Sequence, residues 1–303
     1  MLLSNPDIDS GKQFDWGRTS ADYAKFRDIY PQEFYSRILS RGLCKRGQSV
    51  LDVGTGTGVL PRNLVRYGAK WTGIDLSEEQ IRQARLLSAQ MDIRYEVTSA
   101  EKIAFPPNSF DVITACQCFW YFDPAQVMPK FFEVLKPDGR LLLLYMAWLP
   151  FADEIAGASE RLVLQYNPDW SGAGETMHPI FIPDCCSENF ELVYHEEYPV
   201  RVHFTRAGWN GRVKTCRGIG ASLGKEEIAS WEREHIRLLS EIAPDGAAQR
   251  TGGTPSAIVS TRAALRRKTA RLQLQAGGLF ICPAPARTAE SRQCASSTAR
   301  MAS

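Results

Sequence analysis

Three glycines at alternate positions, Gly54, Gly56 and Gly58, follow a hydrophobic run and an aspartate in the stretch VLDVGTGTGV, Val50 to Val59. Glycine lets a backbone turn at positive φ and come close to a ligand. A helix starting directly after such a turn offers its unpaired N–H groups. The chemistry this suits is the seating of a small molecule at a strand end; the alternative is a plain strand-to-helix turn. A dinucleotide fingerprint spaces its glycines G-x-G-x-x-G, and here Val59 stands where the third glycine belongs. Asp52 lies two positions before the first glycine. Asp75 ends the next apolar run, where a carboxylate can accept both hydroxyls of a ribose.

These residues need a scaffold, and hydrophobic periodicity describes one. TSADYAKFRDIY and QEFYSRILSRGL carry apolar residues at helical spacing, with Pro31 between them as a first-turn residue of the second helix. QSVLDVG, AKWTGIDLS, DIRYEVTSA, SFDVITAC and RLLLLYMAW read as five buried strands. Between them lie the helices GVLPRNLVRYG, EEQIRQARLLSAQ, capped by Ser77, and DPAQVMPKFFEVLKPDG, which stops at Pro137 and Gly139. Apolar strands alternating with helices predict an α/β fold with a doubly wound, mostly parallel sheet. Its ligands bind at the carboxyl ends of the strands, near the switch in strand order. FELVYHEEYPVRVHFT is a sixth strand, and two helices follow it as far as Pro244.

Composition narrows the class. With 44% hydrophobic and 23% charged residues, the 303-residue chain has the makeup of a globular protein. No apolar run reaches the roughly 18–20 residues of a membrane span, and the N-terminus lacks a basic-then-apolar signal pattern, so a cytoplasmic protein without membrane partners is expected. The cysteines at 44, 116, 118, 185, 186, 216, 282 and 294 form no C-x-x-C pair, which supports neither a zinc site nor a disulfide framework. The adjacent Cys185 and Cys186 are a weak metal signal without nearby partners, and no metal is expected. The net charge of +2 conceals an asymmetry: residues 245–303 hold nine basic and two acidic residues, and the preceding 244 carry a net −5. A mildly acidic body argues against nucleic acid as a partner. The tail is rich in Ala, Arg, Ser and Gly, a composition expected to stay disordered, with SAIVSTRAALRRKTARLQLQ able to form a short helix.

LDVGTGTG, then GIDLS, then TSAEKIAFPPNSFDVI resembles the class I S-adenosylmethionine-dependent methyltransferase family, in particular its small-molecule branch of methyltransferase type 11 or 25. The resemblance spans about Gln48 to Trp148 and implies a Rossmann-like methyltransferase fold with S-adenosylmethionine as cofactor. It implies that Asp52 and the backbone of Gly54, Thr55, Gly56 and Gly58 hold the methionine moiety, and that Asp75 takes the ribose, with Leu76 beside the adenine. Ala100 and Glu101 match the segment lining the adenine, although Ser99 replaces an acidic residue common there. Cys116 and Gln117 match the segment nearest the sulfonium. ADYAKFRDIYP resembles a Y-x-x-x-R-x-x-Y-P element of related enzymes, which makes Tyr23 and Arg27 candidates for a lid, Arg27 toward the cofactor carboxylate; the alternative is an amphipathic helix with core tyrosines.

The expected organisation is an N-terminal helical lid over 1–47, a cofactor-binding core over 48–148, substrate-cap helices and the sixth strand over 149–244, and the basic tail over 245–303. The run CFWYF offers aromatic faces that exclude water and attract a sulfonium, and Trp120, Tyr23 and His178 are the candidates at the reacting centre. His178 is either a general base in a loop or structural. Arg206, Arg212, Lys214 and Arg217 form a basic cluster suited to a carboxylate-bearing acceptor; a solvated basic face is the alternative. The expected activity is methyl transfer to an O, N or C nucleophile of a small molecule. The family's seventh strand, antiparallel and beside the fifth, is expected to be missing, because the tail replaces its apolar run; GGLFICPA at 277–284 is at best a poor substitute. From that follows the second reading, a weak or inactive cofactor-binding protein. A third, an NAD-dependent oxidoreductase, is disfavoured by the glycine spacing and the absence of a catalytic Tyr-x-x-x-Lys.

Overall fold

The computed structural model describes residues 2–175, 184 and 186–243, and the backbone of 255–267. Its elements run α1 (Ser20–Phe26), α2 (Gln32–Ser40), β1 (Ser49–Val53), α3 (Val59–Leu64), β2 (Lys70–Asp75), α4 (Glu78–Leu87), β3 (Ile93–Val97) and β4 (Phe110–Cys116). They continue with α5 (Pro124–Val134), β5 (Leu135–Trp148), α6 (Glu154–Tyr166), α7 (Cys186–Asn189), β6 (Phe190–His203), α8 (Arg206–Lys214), α9 (Lys225–Ile242) and β7 (Pro255–Arg267). The strands form one sheet in the order β3-β2-β1-β4-β5-β7-β6. Strands β1 to β5 pair in parallel. The expected doubly wound sheet is present, and the order reverses between β1 and β4.

Side chains along the central strands alternate between two packed faces, as a period of two requires. Leu51, Val53, Leu141 and Leu143 pack with Phe131 and Val134 of α5. Val50, Leu142 and Leu144 pack on the other face with Phe34 and Ile38 of α2 and Leu60 and Leu64 of α3. With both faces covered the strands read as continuous apolar runs. Two polar side chains interrupt them, Asp52 and Thr114, and they are register partners across β1 and β4. The helices start on side-chain caps: Ser77 accepts from the Gln80 amide at 3.4 Å, Asp123 from Ala125 at 3.0 Å and Asp153 from Ala156 at 2.8 Å. Such caps contribute about 1 kcal/mol each.

Two boundaries differ from expectation. Helix α5 ends at Val134, and the Pro137–Gly139 stretch lies inside β5 as an irregularity, with Phe110 opposite Leu135 and Val112 opposite Arg140. The extra residues bulge because proline cannot donate to the ladder. Pro31 stands just outside α2 with extended dihedrals (φ −70°, ψ 159°).

The larger correction concerns the seventh strand, which is present. Residues Pro255–Arg267 lie antiparallel between β5 and β6, with Leu144 opposite Arg262 on one side and Glu196 opposite Arg262 on the other. The expectation of a disordered tail therefore fails over this stretch, as does that of a helix in SAIVSTRAALRR. Strands β5 and β6 are 14 residues each, and both would otherwise present an open edge of N–H and C=O groups. Pairing at two edges outweighs the helix propensity of an Ala- and Arg-rich segment, and Ile258, Val259 and Thr261 suit a strand. The segment 277–284 lies outside the described residues.

Beyond the carboxyl end of β5, helices α6, α8 and α9 enclose a third core built on Trp148, Trp170, Trp209 and Trp231. The N-terminal segment is tied to it by a buried ion pair: Arg217 Nε and Nη2 donate to Asp9 Oδ2 at 2.6 Å and Oδ1 at 2.8 Å, and Arg217 Nη1 donates to the Tyr121 hydroxyl at 2.8 Å. Among the described residues no helix is long and apolar enough to cross a membrane.

With β7 central in the sheet, trypsin should leave the bonds after Arg262 and Arg266 uncut in the native chain. Ser260→Pro, which removes a main-chain donor from a doubly paired strand, should cost about 2 kcal/mol or more in urea unfolding. Cleavage after Arg262 under native conditions would contradict this placement.

Candidate active site

The glycine loop leaves β1 at the point where the strand order reverses. Gly54 has φ +65°, and a Cβ there would lie 2.8 Å from Cys118 Sγ. At Gly58, with φ +74°, a Cβ would overlap the Tyr95 hydroxyl. Gly56 differs: the nearest atoms to a Cβ are Tyr23 Cε1 at 3.8 Å and Gln80 Oε1 at 3.9 Å, so its open side faces the N-terminal helix and α4.

Two carboxylates hold this loop. Asp52 is buried, and each of its oxygens accepts a hydroxyl hydrogen at 2.6 Å, Oδ2 from Thr55 and Oδ1 from Thr114. Burial pushes its carboxyl up to about 6, against the opposing pull of the Thr114 and Thr55 hydroxyls. Asp75, the last residue of β2, accepts from the Gly56 amide at Oδ2 and the Ser77 amide at Oδ1, both at 2.9 Å. Burial raises its carboxyl too, and the Ser77 and Gly56 amides counteract it.

The remaining candidates gather along the same carboxyl edge. Leu76 is half-buried beside Asp75; Ala100, buried, and Glu101, half-buried, form the short turn that follows β3. Cys116 ends β4, and its thiol donates to the Tyr30 hydroxyl at 3.3 Å. Gln117 sits at φ +64° and donates from Nε2 to the Met146 carbonyl. Trp120 is 40% exposed and meets the Tyr145 ring edge-on at 4.7 Å. Tyr23 carries the Arg27 guanidinium over its ring at 4.7 Å, and Arg27 reaches across to α8, donating to Thr215 Oγ1 at 2.9 Å and the Thr215 carbonyl at 3.0 Å. His178 and Cys185 lie outside the described residues. No group of three His, Cys, Asp or Glu side chains converges to hold a metal among the described residues.

The basic cluster read from the sequence does not act as a unit. Lys214 pairs with Asp22 at 3.2 Å and Glu232 at 3.0 Å, Arg217 is committed to Asp9, and Arg206 donates to the Ala243 carbonyl at 2.6 Å. Arg212, 6% exposed, lies over the Trp148 ring at 4.8 Å.

Sequence reading missed Gln80. It is buried, donates from Nε2 to the Trp16 carbonyl at 3.1 Å, and its Oε1, facing Gly56, has no partner among the described residues. The only signal was its place three residues after the Ser77 cap, which marks a helix start and no ligand contact.

A profile described as methyltransferase domain matches residues 51–143. Over 132 residues the chain is 35% identical to the ubiquinone biosynthesis O-methyltransferase of Neisseria meningitidis serogroup A, covering 42% of this chain and 55% of that protein. The protein of the same name from Albidiferax ferrireducens is 42% identical over 127 residues, 40% of this chain and 50% of that one. That from Pseudomonas paraeruginosa is 31% identical over 157 residues, 50% of this chain and 67% of that one. The chain thus spans between half and two thirds of the curated relatives it matches. Matched over two thirds of one such relative, and carrying a glycine loop held by Asp52 and Asp75 at the switch point of a five-stranded parallel run, the chain belongs to the class I S-adenosylmethionine-dependent methyltransferase family.

Proposed function

We propose that the protein transfers a methyl group from S-adenosylmethionine to an O, N or C nucleophile of a small molecule, the relatives' names favouring oxygen as the acceptor atom. The observation that carries this reading is the open side of Gly56, bordered by Tyr23 and by Gln80 Oε1, which has no partner among the described residues, with the Asp75 carboxylate at the end of β2. These residues fit the cofactor: a buried amide oxygen and an anionic carboxylate suit its ammonium and ribose hydroxyls. The reading assigns the methionine end to Asp52 and residues 54–58, the ribose to Asp75, and the adenine to Leu76, Ala100 and Glu101. Cys116 and Gln117 fall nearest the reacting atoms.

When bound, the cofactor supplies a methyl group on a sulfonium, already a strong electrophile. The chain's task is then to hold a nucleophile in line and keep water out. Trp120, Tyr121 and Tyr145 form the aromatic side of the site, with ring centroids 4.7 Å apart for Trp120 and Tyr145 and 6.0 Å for Trp120 and Tyr121. Such faces exclude water and attract a sulfonium. Tyr23 and Arg27, tied through Thr215 to α8, close the side opposite the sheet. The acceptor is read as carboxylate-bearing because Arg212 of α8 is buried over the Trp148 ring at the end of β5. The second reading, a protein that binds the cofactor without turnover, drew its support from an incomplete sheet, and β7 completes that sheet.

Calorimetry should show saturable binding of S-adenosylhomocysteine and none of NAD. Asp75→Ala should weaken it about ten- to hundredfold, the worth of hydrogen bonds to a charged group. Binding of NAD in place of S-adenosylhomocysteine would overturn the assignment.

Affinity should also depend on pH in a defined direction. An ammonium-bearing ligand favours ionised Asp52, whose carboxyl burial holds at about 6. S-adenosylhomocysteine should therefore bind about tenfold more tightly at about pH 7 than at about pH 5. Asp52→Asn should remove that residue's share of the slope, leaving that of Asp75.

A further inference from the structure

Buried arginines are normally paired, since an ion stripped of water needs a counter-charge or hydrogen bonds. Arg212 has neither among the described residues: its side chain is inside the protein, its one ring contact is Trp148, and its carbonyl, not its guanidinium, receives the Thr215 hydroxyl at 3.0 Å. The charged group that acts on it most strongly is a second cation. Arg27 is held by Thr215, three residues further along, and its charge works against that of Arg212. Burial, then Arg27, push the Arg212 guanidinium down to about 9, which still leaves it charged at neutral pH.

Carboxylates in the vicinity are occupied elsewhere. Glu160 accepts from Trp148 Nε1 at 2.7 Å and from the Gly174 amide at 2.5 Å; Glu175 accepts from the Tyr145 hydroxyl; Asp22 and Glu232 hold Lys214. Two cations thus act on each other with Tyr23, Tyr30 and Cys216 around them, and no carboxylate pairs with Arg212 among the described residues. The arrangement is costly unless something anionic binds there.

We infer that Arg212 is the receptor for a carboxylate on the methyl acceptor, with Arg27 left to the cofactor side. This rests on the methyltransferase reading. Position separates the acceptor from the cofactor as the source of the anion. Arg27 lies over Tyr23, the side chain beside Gly56, whereas Arg212 lies over Trp148 at the end of β5. Strand β5 is two strands from β1, or about 10 Å at the usual spacing. A planar guanidinium on an aromatic floor, its fork otherwise unused, matches a carboxylate in two parallel hydrogen bonds. An acceptor so held presents its nucleophile from the β5 side toward β4, where Cys116 and Gln117 leave the sheet.

The test uses the full chain saturated with S-adenosylhomocysteine and titrated with benzoate, phenylacetate and 4-hydroxybenzoate, each beside its primary amide. At least one acid should bind ten or more times tighter than its amide. Arg212→Met should abolish that preference and change the affinity for S-adenosylhomocysteine by less than threefold. Without ligands, this variant should melt no lower than the parent chain, because an unpaired buried charge has been removed; an arginine that only supports the fold would lower the melting temperature. Arg212→Lys, which keeps the charge but loses the fork, should retain part of the preference. Equal binding of acids and amides, no binding of any acid, a lowered melting temperature of Arg212→Met, or a loss of S-adenosylhomocysteine affinity in Arg212→Met as large as in Arg27→Met would each overturn the inference. Failure of the parent chain to bind S-adenosylhomocysteine would instead remove the methyltransferase reading itself.

Discussion

The site depends on how residues 54–58 are kept in shape. A run of glycines has more conformations to lose than any other sequence, and here three of them sit at positive φ. Asp52 fixes the start of the loop through the Thr55 hydroxyl, and Asp75 fixes its middle through the Gly56 amide. Both carboxylates stand at the ends of adjacent parallel strands, so the loop inherits its position from the β1–β2 register, Asp52 opposite Gly73. Burial raises the cost of ionising both carboxyls, the charge of Asp75 adds to that of Asp52, and a cationic ligand offsets it. The same pair thus shapes the loop and selects what can occupy it.

The other half of the site is assembled from parts far apart in the chain. Asp9, Tyr121, Ser171 and Arg217 meet in one buried network, with Ser171 Oγ donating to Asp9 Oδ1 at 2.8 Å. That network fixes the N-terminal segment against the region beyond β5. Arg27 then reaches Thr215 across the same junction. His235, pushed down to about 4 by burial, bonds Asn210 at 2.8 Å and Ser159 at 2.9 Å and holds α6, α8 and α9 in place as a neutral group. The tryptophan core around it sets where Trp148 stands, and so where Arg212 lies.

Some of this was legible residue by residue. Leu141 to Leu144 announce a strand buried on both faces, because nothing in them needs water. Ser77 and Glu78–Glu79 mark the start of α4, since a cap and a first-turn charge act within a few residues. The spacing of Asp52, the glycines and Asp75 pointed to one edge of a parallel sheet, and that is where they lie. Gln80 was invisible: its amide turns inward only because Trp16, 64 residues earlier, offers a carbonyl to it.

By itself the sequence determined the alternation of strands and helices and the carboxyl edge at which the candidate residues gather, because periodicity, capping and glycine conformation are local properties. Only the tertiary structure decided the state of 255–267 and the partners of the basic residues. A strand inserted between β5 and β6 is selected by two edges distant in the chain, against its own composition. Of the four cations read as one patch, three found a partner group and Arg212 found none among the described residues, because ion pairing depends on which carboxylates the fold brings within a few ångströms.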